Sequence, residues 1–264
     1  MQKVILLTND DGYFSHGIKA LKEALSPLGR VVVVAPASEK SACGHGLTIT
    51  KPLKLIEVEK DFYKLDDGSP TDCIYMALAT LFKHKKPDLV VSGINLGANI
   101  GEDVTYSGTV AGAMEGALHD VPSLAISQYI QDKDLNAQNL PLDLSVGQDF
   151  IYKLVKKILE EGYKFGTRKI LNINIPHANA YNGQTKVTQL GYRHYQLSYE
   201  ENFNPRNVRY YWLGNMKLVL SEREDGRGLE SDYKAIKEGF ISITPLSLDL
   251  TSYEDIKALK DLSL

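Results

Sequence analysis

Four apolar residues, Val4 to Leu7, run straight into Thr8-Asn9-Asp10-Asp11-Gly12, and this junction limits the fold more than any other stretch. A run without alternation suits a strand covered on both faces, as in parallel sheets flanked by helices. Gly12 lets the backbone turn away at once. Asp10 and Asp11 then stand at the C-terminal end of a parallel strand, the edge where open α/β sheets bind ligands. Two adjacent carboxylates beside a buried strand are costly to keep ionised unless a cation or hydrogen-bond donors compensate. A hard divalent cation is one solution. A solvated acidic turn capping the next helix is the other.

The strand and helix rhythm continues along the chain. Ile18, Leu21 and Leu25 recur at helical spacing within Gly17 to Ser26, which predicts a first crossover helix. Val31 to Val34 reads as a second buried strand, and the small, polar turn from Ala37 to Gly46 carries Ser38, Ser41 and His45. Leu47 to Leu65 alternates apolar and polar residues and is expected to form a β-hairpin. Ser69 before Pro70 predicts an N-cap with proline at the first helical position, opening a helix to about Lys83. Leu89 to Val91 is a third buried strand. The glycines and asparagines of Ser92 to Gly101 read as a loop with unusual backbone angles. A helix from Val110 to Leu118, a strand from Ser123 to Ser127, a helix from Val146 to Glu161 and a strand from Ile170 to Ile175 complete the pattern. Such alternation predicts an α/β fold built on a doubly wound parallel sheet.

The rhythm stops after Pro176. His177 to Glu238 is rich in Tyr, Asn and Arg, with weak alternation only at Lys217 to Leu220. Tyr195, Tyr199, Tyr210, Tyr211 and Trp212 need packing partners, so this region is expected to form a protruding hairpin region or a small subdomain, and exposed strands of this sort often pair with a second chain. Phe240 to Thr244 reads as a returning strand, and Thr251-Ser252-Tyr253-Glu254 as a capping box opening a terminal helix. The expected division is a core over 1–176, an arm over 177–238, and a return strand with a helix over 239–264.

A chain of 264 residues, 43% of them hydrophobic, can bury one large core. Its net charge of −3 argues against bulk nucleic-acid binding. Cys43 and Cys73 are too few for a disulfide framework and are read as reduced packing residues. The histidines at 16, 45, 84, 119, 177 and 194 show no paired zinc spacing; His16 and His45 are read as loop histidines. The absence of a signal segment and of an apolar run of about 18 residues leads to the expectation of a soluble, cytoplasmic protein with no membrane partner. Walker, dinucleotide and nucleophile-elbow glycine motifs are all missing.

If neighbouring strands carry them, the Asp10-Asp11 turn, the Ser41 loop and the Asn95 to Thr109 segment meet at one edge. Two carboxylates, a hydroxyl and an amide oxygen form an oxygen-only set suited to Mg²⁺, Mn²⁺ or Ca²⁺. Ser107-Gly108-Thr109 at a helix start offers amides, hydroxyls and the positive end of the helix dipole to a phosphate. Ser107 taken alone reads better as a plain N-cap, and left-handed turns are the alternative reading of Asn95 and Asn99. Metal beside phosphate points to phosphoryl-ester hydrolysis.

These residues resemble the SurE survival-protein nucleotidases. The resemblance rests on Leu7-Thr8-Asn9-Asp10-Asp11-Gly12 with Gly17-Ile18, Val34-Ala35-Pro36 followed by Ser41, Gly68-Ser69-Pro70-Thr71-Asp72-Cys73, Ser92-Gly93-Ile94-Asn95 through Asp103-Val104, Tyr106-Ser107-Gly108-Thr109-Val110 and Ile241 to Leu246. It implies a Rossmann-like fold with a C-terminal arm exchanged between subunits in a homodimer or homotetramer. It further implies a divalent-metal-dependent phosphatase that hydrolyses nucleoside 5′-monophosphates, with 3′-monophosphates and short polyphosphate as additional substrates. One Mg²⁺ or Mn²⁺ per subunit would be held by Asp10, Asp11, Ser41 and Asn95, and phosphate by Asn9, Ser107, Gly108 and Thr109. Asp10 or Asp11 would orient the attacking water, an aspartyl-phosphate on Asp10 being the chemical rival. A non-catalytic nucleotide or metal sensor is the alternative on the same fold. The chain departs from the pattern at Ala42, where many members carry glycine after the serine.

Overall fold

The computed structural model describes residues 2–130, 142–164, 166–195, 197–213, 218–222 and 227–262. The uninterrupted apolar run of β1 (Val4–Thr8) is explained by burial on both sides. Ile5 and Leu7 pack with Ile18, Leu21 and Leu25 of α1 (His16–Leu25). Leu6 turns the other way, onto Cys73, Ile74 and Ala77 of α2 (Pro70–Thr80). A strand buried on two faces has no polar face to alternate with.

Around β1 the chain builds β2 (Arg30–Pro36), β3 (Lys54–Glu59), β4 (Phe62–Asp66), β5 (Leu89–Leu96), β6 (Ser123–Gln128) and β7 (Lys169–Ile175). With β8 (Thr185–Val187) and the late strand β13 (Ile241–Ser247) they form one nine-stranded sheet, ordered β3-β4-β2-β1-β5-β6-β7-β13-β8. The central pairs are parallel; β3 with β4 and β13 with β7 are antiparallel. Helix α3 (Gly108–Leu118) packs on β6 through Val110, Ala113 and Ala117, and α4 (Ser145–Glu161) joins α1 on the opposite face through Ile151, Val155 and Ile158. The doubly wound, mostly parallel architecture is the expected one.

Several boundaries differ from expectation. Helix α2 ends at Thr80, because Phe82 folds inward and its amide bonds Ala77 O at 3.0 Å, leaving the charged residues after it outside the helix. Strand β5 continues through the stretch read as a loop: after an irregularity at Ser92, Asn95 pairs with Ser127 and Leu96 with Gln128. Asn95 and Asn99 do not occupy left-handed turns; the positive φ angles there fall on Gly93, Gly97 and Gly101. The terminal helix α6 (Tyr253–Asp261) starts at Ser252, not through a box at Thr251, since Asp249 captures the Thr251 amide at 3.1 Å and Ser252 Oγ turns to Asp255.

The region after Pro176 contributes β8 to the sheet edge and α5 (Asp232–Lys237) to its flank. It also forms two antiparallel ribbons outside the sheet, β9 (Tyr192–Tyr195) with β12 (Leu218–Ser221) and β10 (Tyr199–Phe203) with β11 (Arg209–Leu213). Tyr199, Tyr210, Tyr211 and Trp212 find no core among the described residues and stay exposed on the second ribbon. Lys217 and the side chain of Tyr195 lie outside the described residues.

Candidate metal centre and phosphate pocket

The order β2-β1-β5 makes three neighbours of the strands whose C-terminal ends carry the polar loops. A cavity of about 1030 Å³ opens at that edge, lined among others by Asp10, Asp11, Ser41, Asn95 and Ser107. Asn9, Gly108 and Thr109 stand behind its wall. Asn9 is fully buried, its amide nitrogen donating to Gly12 O at 3.0 Å and Ser15 Oγ at 2.8 Å. It therefore shapes the turn that presents the two aspartates.

Asp10 is tied to the start of α3. The Thr109 amide donates to Asp10 Oδ2 at 3.0 Å and the Thr109 hydroxyl to Oδ1, while Lys40 N donates to the Asp10 carbonyl at 2.7 Å. Burial raises the Asp10 pKa, and the Thr109 hydroxyl opposes the rise. The Thr109 amide is thus engaged with Asp10, whereas Ser107 caps the helix by accepting from Val110 N at 3.1 Å. Close approach requires Gly108: a Cβ there would lie 2.8 Å from Asp10 Cβ and 3.0 Å from both Asp10 Oδ2 and Cys43 Sγ.

Asp11 is the less satisfied carboxylate. Its Oδ2 is buried without a hydrogen-bond partner. Burial, then the neighbouring charge of Asp10, push its pKa to about 7, against a hydrogen bond from the Leu96 backbone. An orphaned buried acceptor beside a second carboxylate is the electrostatic setting that a bound cation relieves. Asn95 donates its amide nitrogen to Gly97 O at 2.7 Å, which leaves its oxygen as the atom available to a ligand, and Ser41 Oγ donates to Glu39 Oε1 at 2.8 Å with its lone pairs still free to coordinate. Among the described residues no group of three His, Cys, Asp or Glu side chains could hold a metal, so a cation here would rely on serine and asparagine oxygens beside the aspartates. That donor set fits Mg²⁺ or Mn²⁺. Ala42 adopts φ 56°, in the left-handed region that favours glycine, the residue expected there from the resemblance.

The cavity also contains residues that local sequence did not single out. Glu39 precedes Ser41 by two positions, a signal available in the sequence. Arg193, by contrast, comes from β9: its Nε lies 2.6 Å from Asp103 Oδ1 and its guanidinium 4.8 Å from the Tyr106 ring. No periodic pattern marks that stretch. Leu197 and Leu213 of the protruding region line the same opening. Asn99 fixes the loop between β5 and α3: its carbonyl accepts from Asn172 and Asn174 at 2.8 and 2.9 Å, and its amide nitrogen donates to Ser127 Oγ at 2.7 Å.

Residues 5–197 match the family described as survival protein SurE. The chain is 54% identical over 260 residues to the 5′-nucleotidase SurE of Helicobacter hepaticus, covering 97% of each protein. It is also 54% identical to that of Wolinella succinogenes, covering 98% of this chain and 99% of the relative. The crystal structure of the SurE protein from Aquifex aeolicus superposes with a TM-score of 0.79 at 42% identity, over 99% of this chain and all of the other. Sequence, fold and the acidic edge of the sheet agree, and the chain belongs to the SurE family.

Proposed function

We propose that the chain is a divalent-metal-dependent phosphatase that converts nucleoside 5′-monophosphates to nucleoside and phosphate; its relatives are named 5′-nucleotidase. The observation that carries this reading is the unpartnered Asp11 Oδ2 in a cavity shared with Asp10, Ser41 and Asn95, next to the N-terminus of α3. Those four residues would hold one Mg²⁺ or Mn²⁺. When bound, the ion polarises a phosphoryl oxygen and offsets the negative charge of the substrate.

The protein's own groups divide the remaining work. Ser107 and the positive end of α3 hold the phosphate, with Asn9, Gly108 and Thr109 fixing the wall behind it. Both Asp10 oxygens already accept from Thr109, so Asp10 is anchored. Asp11, whose Oδ2 has no hydrogen bond to the protein, is the carboxylate left to orient an incoming water beside the ion and receive its proton. 3′-Monophosphates and short polyphosphate present the same terminal phosphoryl group and complete the expected substrate range. The enzyme works in the cytoplasm as a homodimer or homotetramer assembled through the arm; among the described residues no helix is long and apolar enough to cross a membrane.

The test is phosphate release from a panel of nucleoside 5′- and 3′-monophosphates and tripolyphosphate, with Mg²⁺, Mn²⁺ or excess chelator, for the wild type and Asp10→Asn. Turnover that needs metal and falls by about 100-fold or more in the variant supports the reading. Nucleotide binding without turnover under every metal supports a sensor instead. Phosphate trapped on the protein and released by hydroxylamine would replace direct water attack with an aspartyl-phosphate.

A further inference from the structure

Residues 37–53 form neither helix nor strand, yet this segment brings Ser41 to the cavity. Backbone hydrogen bonds hold it at Lys40, to Asp10 O at 2.7 Å, and at Gly44, to Tyr106 O at 2.9 Å, and side-chain anchors fix the part that follows Ser41. Thr48 is held by Asp72 through its amide at 2.8 Å and its hydroxyl at 2.7 Å, and Gly46 O accepts from Ser69 Oγ at 3.0 Å. Of the side chains that tie the segment to a helix, His45 is the nearest to Ser41 in sequence, its Nε2 lying 2.8 Å from Glu115 Oε2. Glu115 is 5% exposed, and its other oxygen takes His119 Nε2 at 3.0 Å.

A buried carboxylate inside a helix otherwise made of Gly, Ala, Val, Thr, Met and Leu is costly unless paired. Burial raises the Glu115 pKa, but the hydrogen bonds from His45 and His119 outweigh it and hold the carboxyl below its usual range. Helix α3 needs no such group for its own packing, which is apolar. What Glu115 adds is a fixed point on the helix that already positions Asp10 through Thr109. One rigid element thereby sets both sides of the cavity.

We propose that the His45–Glu115 contact is a latch that holds the Ser41 loop on α3, making His45 and Glu115 positioning residues for the metal centre. The inference rests on the metal-dependent reading above. The two imidazoles differ in what they tether. His119 is the C-cap of α3 itself, its ring 5.8 Å from Tyr75, so its bond to Glu115 holds no loop. His45→Ala and His119→Ala therefore each remove one hydrogen bond from the same carboxylate, but only the first removes a tether of the Ser41 loop.

Two readouts on the full-length protein test this: Mn²⁺ binding without substrate, by electron paramagnetic resonance titration, and hydrogen–deuterium exchange of residues 37–53. His45→Ala is expected to weaken Mn²⁺ binding about 10-fold, the scale of losing a group that orients a metal ligand, and to speed exchange across the loop. His119→Ala is expected to leave Mn²⁺ affinity within about 2-fold, since a partly exposed pair contributes little. His45→Gln, which keeps an N–H donor, should recover part of the affinity lost in His45→Ala. Equal weakening in both alanine variants would make Glu115 a support of the helix only and overturn the latch, as would wild-type Mn²⁺ affinity in His45→Ala. Wild-type protein that binds no Mn²⁺ overturns the metal-centre reading. Loop exchange then decides the latch by itself, and equal rates in all variants overturn it.

Discussion

Asp10 and Asp11 share a strand end but not an environment. Asp10 is hydrogen-bonded by Thr109, whereas Asp11 keeps a buried oxygen without a partner and a pKa raised from 3.8 to about 7. A carboxyl with a raised folded-state pKa contributes its full stability below the unfolded value and loses it as pH rises through the folded one. The metal-free protein is therefore expected to lose stability between about pH 4 and 7 through Asp11, and Asp11→Asn to flatten that part of the profile. Thermal melts of both proteins in chelator at intervals from pH 4 to 8 would show it; parallel profiles would contradict the assignment. Gly108 gives a sharper residue-level test. Gly108→Ala must displace Asp10 or Cys43, and a shift of a catalytic group by about 1 Å is expected to lower kcat/KM by about 100-fold, while circular dichroism stays native. The aspartate pair and Ser107 could be read from sequence because strand-end chemistry is local. Arg193 could not, since only the tertiary fold carries it to the cavity.

At the scale of elements, Asp72 closes a capping box with Ser69 and also receives Thr48, joining the start of α2 to the loop that carries Ser41. Replacing a cap costs about 1 kcal/mol and stranding buried donors costs more. Asp72→Ala is thus expected to destabilise by about 2 to 3 kcal/mol in urea unfolding, and Ser69→Ala, which leaves the Thr48 contacts, by less. Ser69→Ala also removes the bond to Gly46 O, so equal losses would show that the Thr48 contacts contribute no more than that bond. The Ser69 cap was readable because it depends on residues within one turn. At Thr251 the same local pattern failed when Asp249 offered a competing acceptor. The length of β5 was unreadable for a different reason: what extends it to Leu96 is pairing with Ser127 and Gln128 on β6, about 30 residues away in the chain, and partner strands override local composition.

Across the whole molecule, the alternation of strands and helices specified the doubly wound sheet, because each parallel crossover must bury an apolar helix face. The arm lacked such a rule. Its β10–β11 ribbon places Tyr199, Phe203, Tyr211 and Leu213 on one face, with Tyr199 and Tyr211 edge to face at 5.6 Å, and all four are exposed. Helix α6 likewise exposes Tyr253, Ile256 and Leu259 at a spacing of three. An isolated two-stranded ribbon is marginally stable in water, and contiguous exposed apolar surface of this kind marks an interface. In the assembly proposed above, a second copy of the chain would supply the missing cover. Phe203→Glu with Tyr211→Glu is expected to reduce the mass seen in sedimentation equilibrium to that of one chain, or of a smaller assembly, with the core Tm shifted by no more than a few degrees. Leu197 and Leu213 line the cavity, so the same double variant should raise KM for nucleotide more than it lowers kcat, as the ribbon loses its fixed place over the opening. A wild type that sediments as a single chain, or a variant of unchanged mass, would mean that the ribbon does not join subunits.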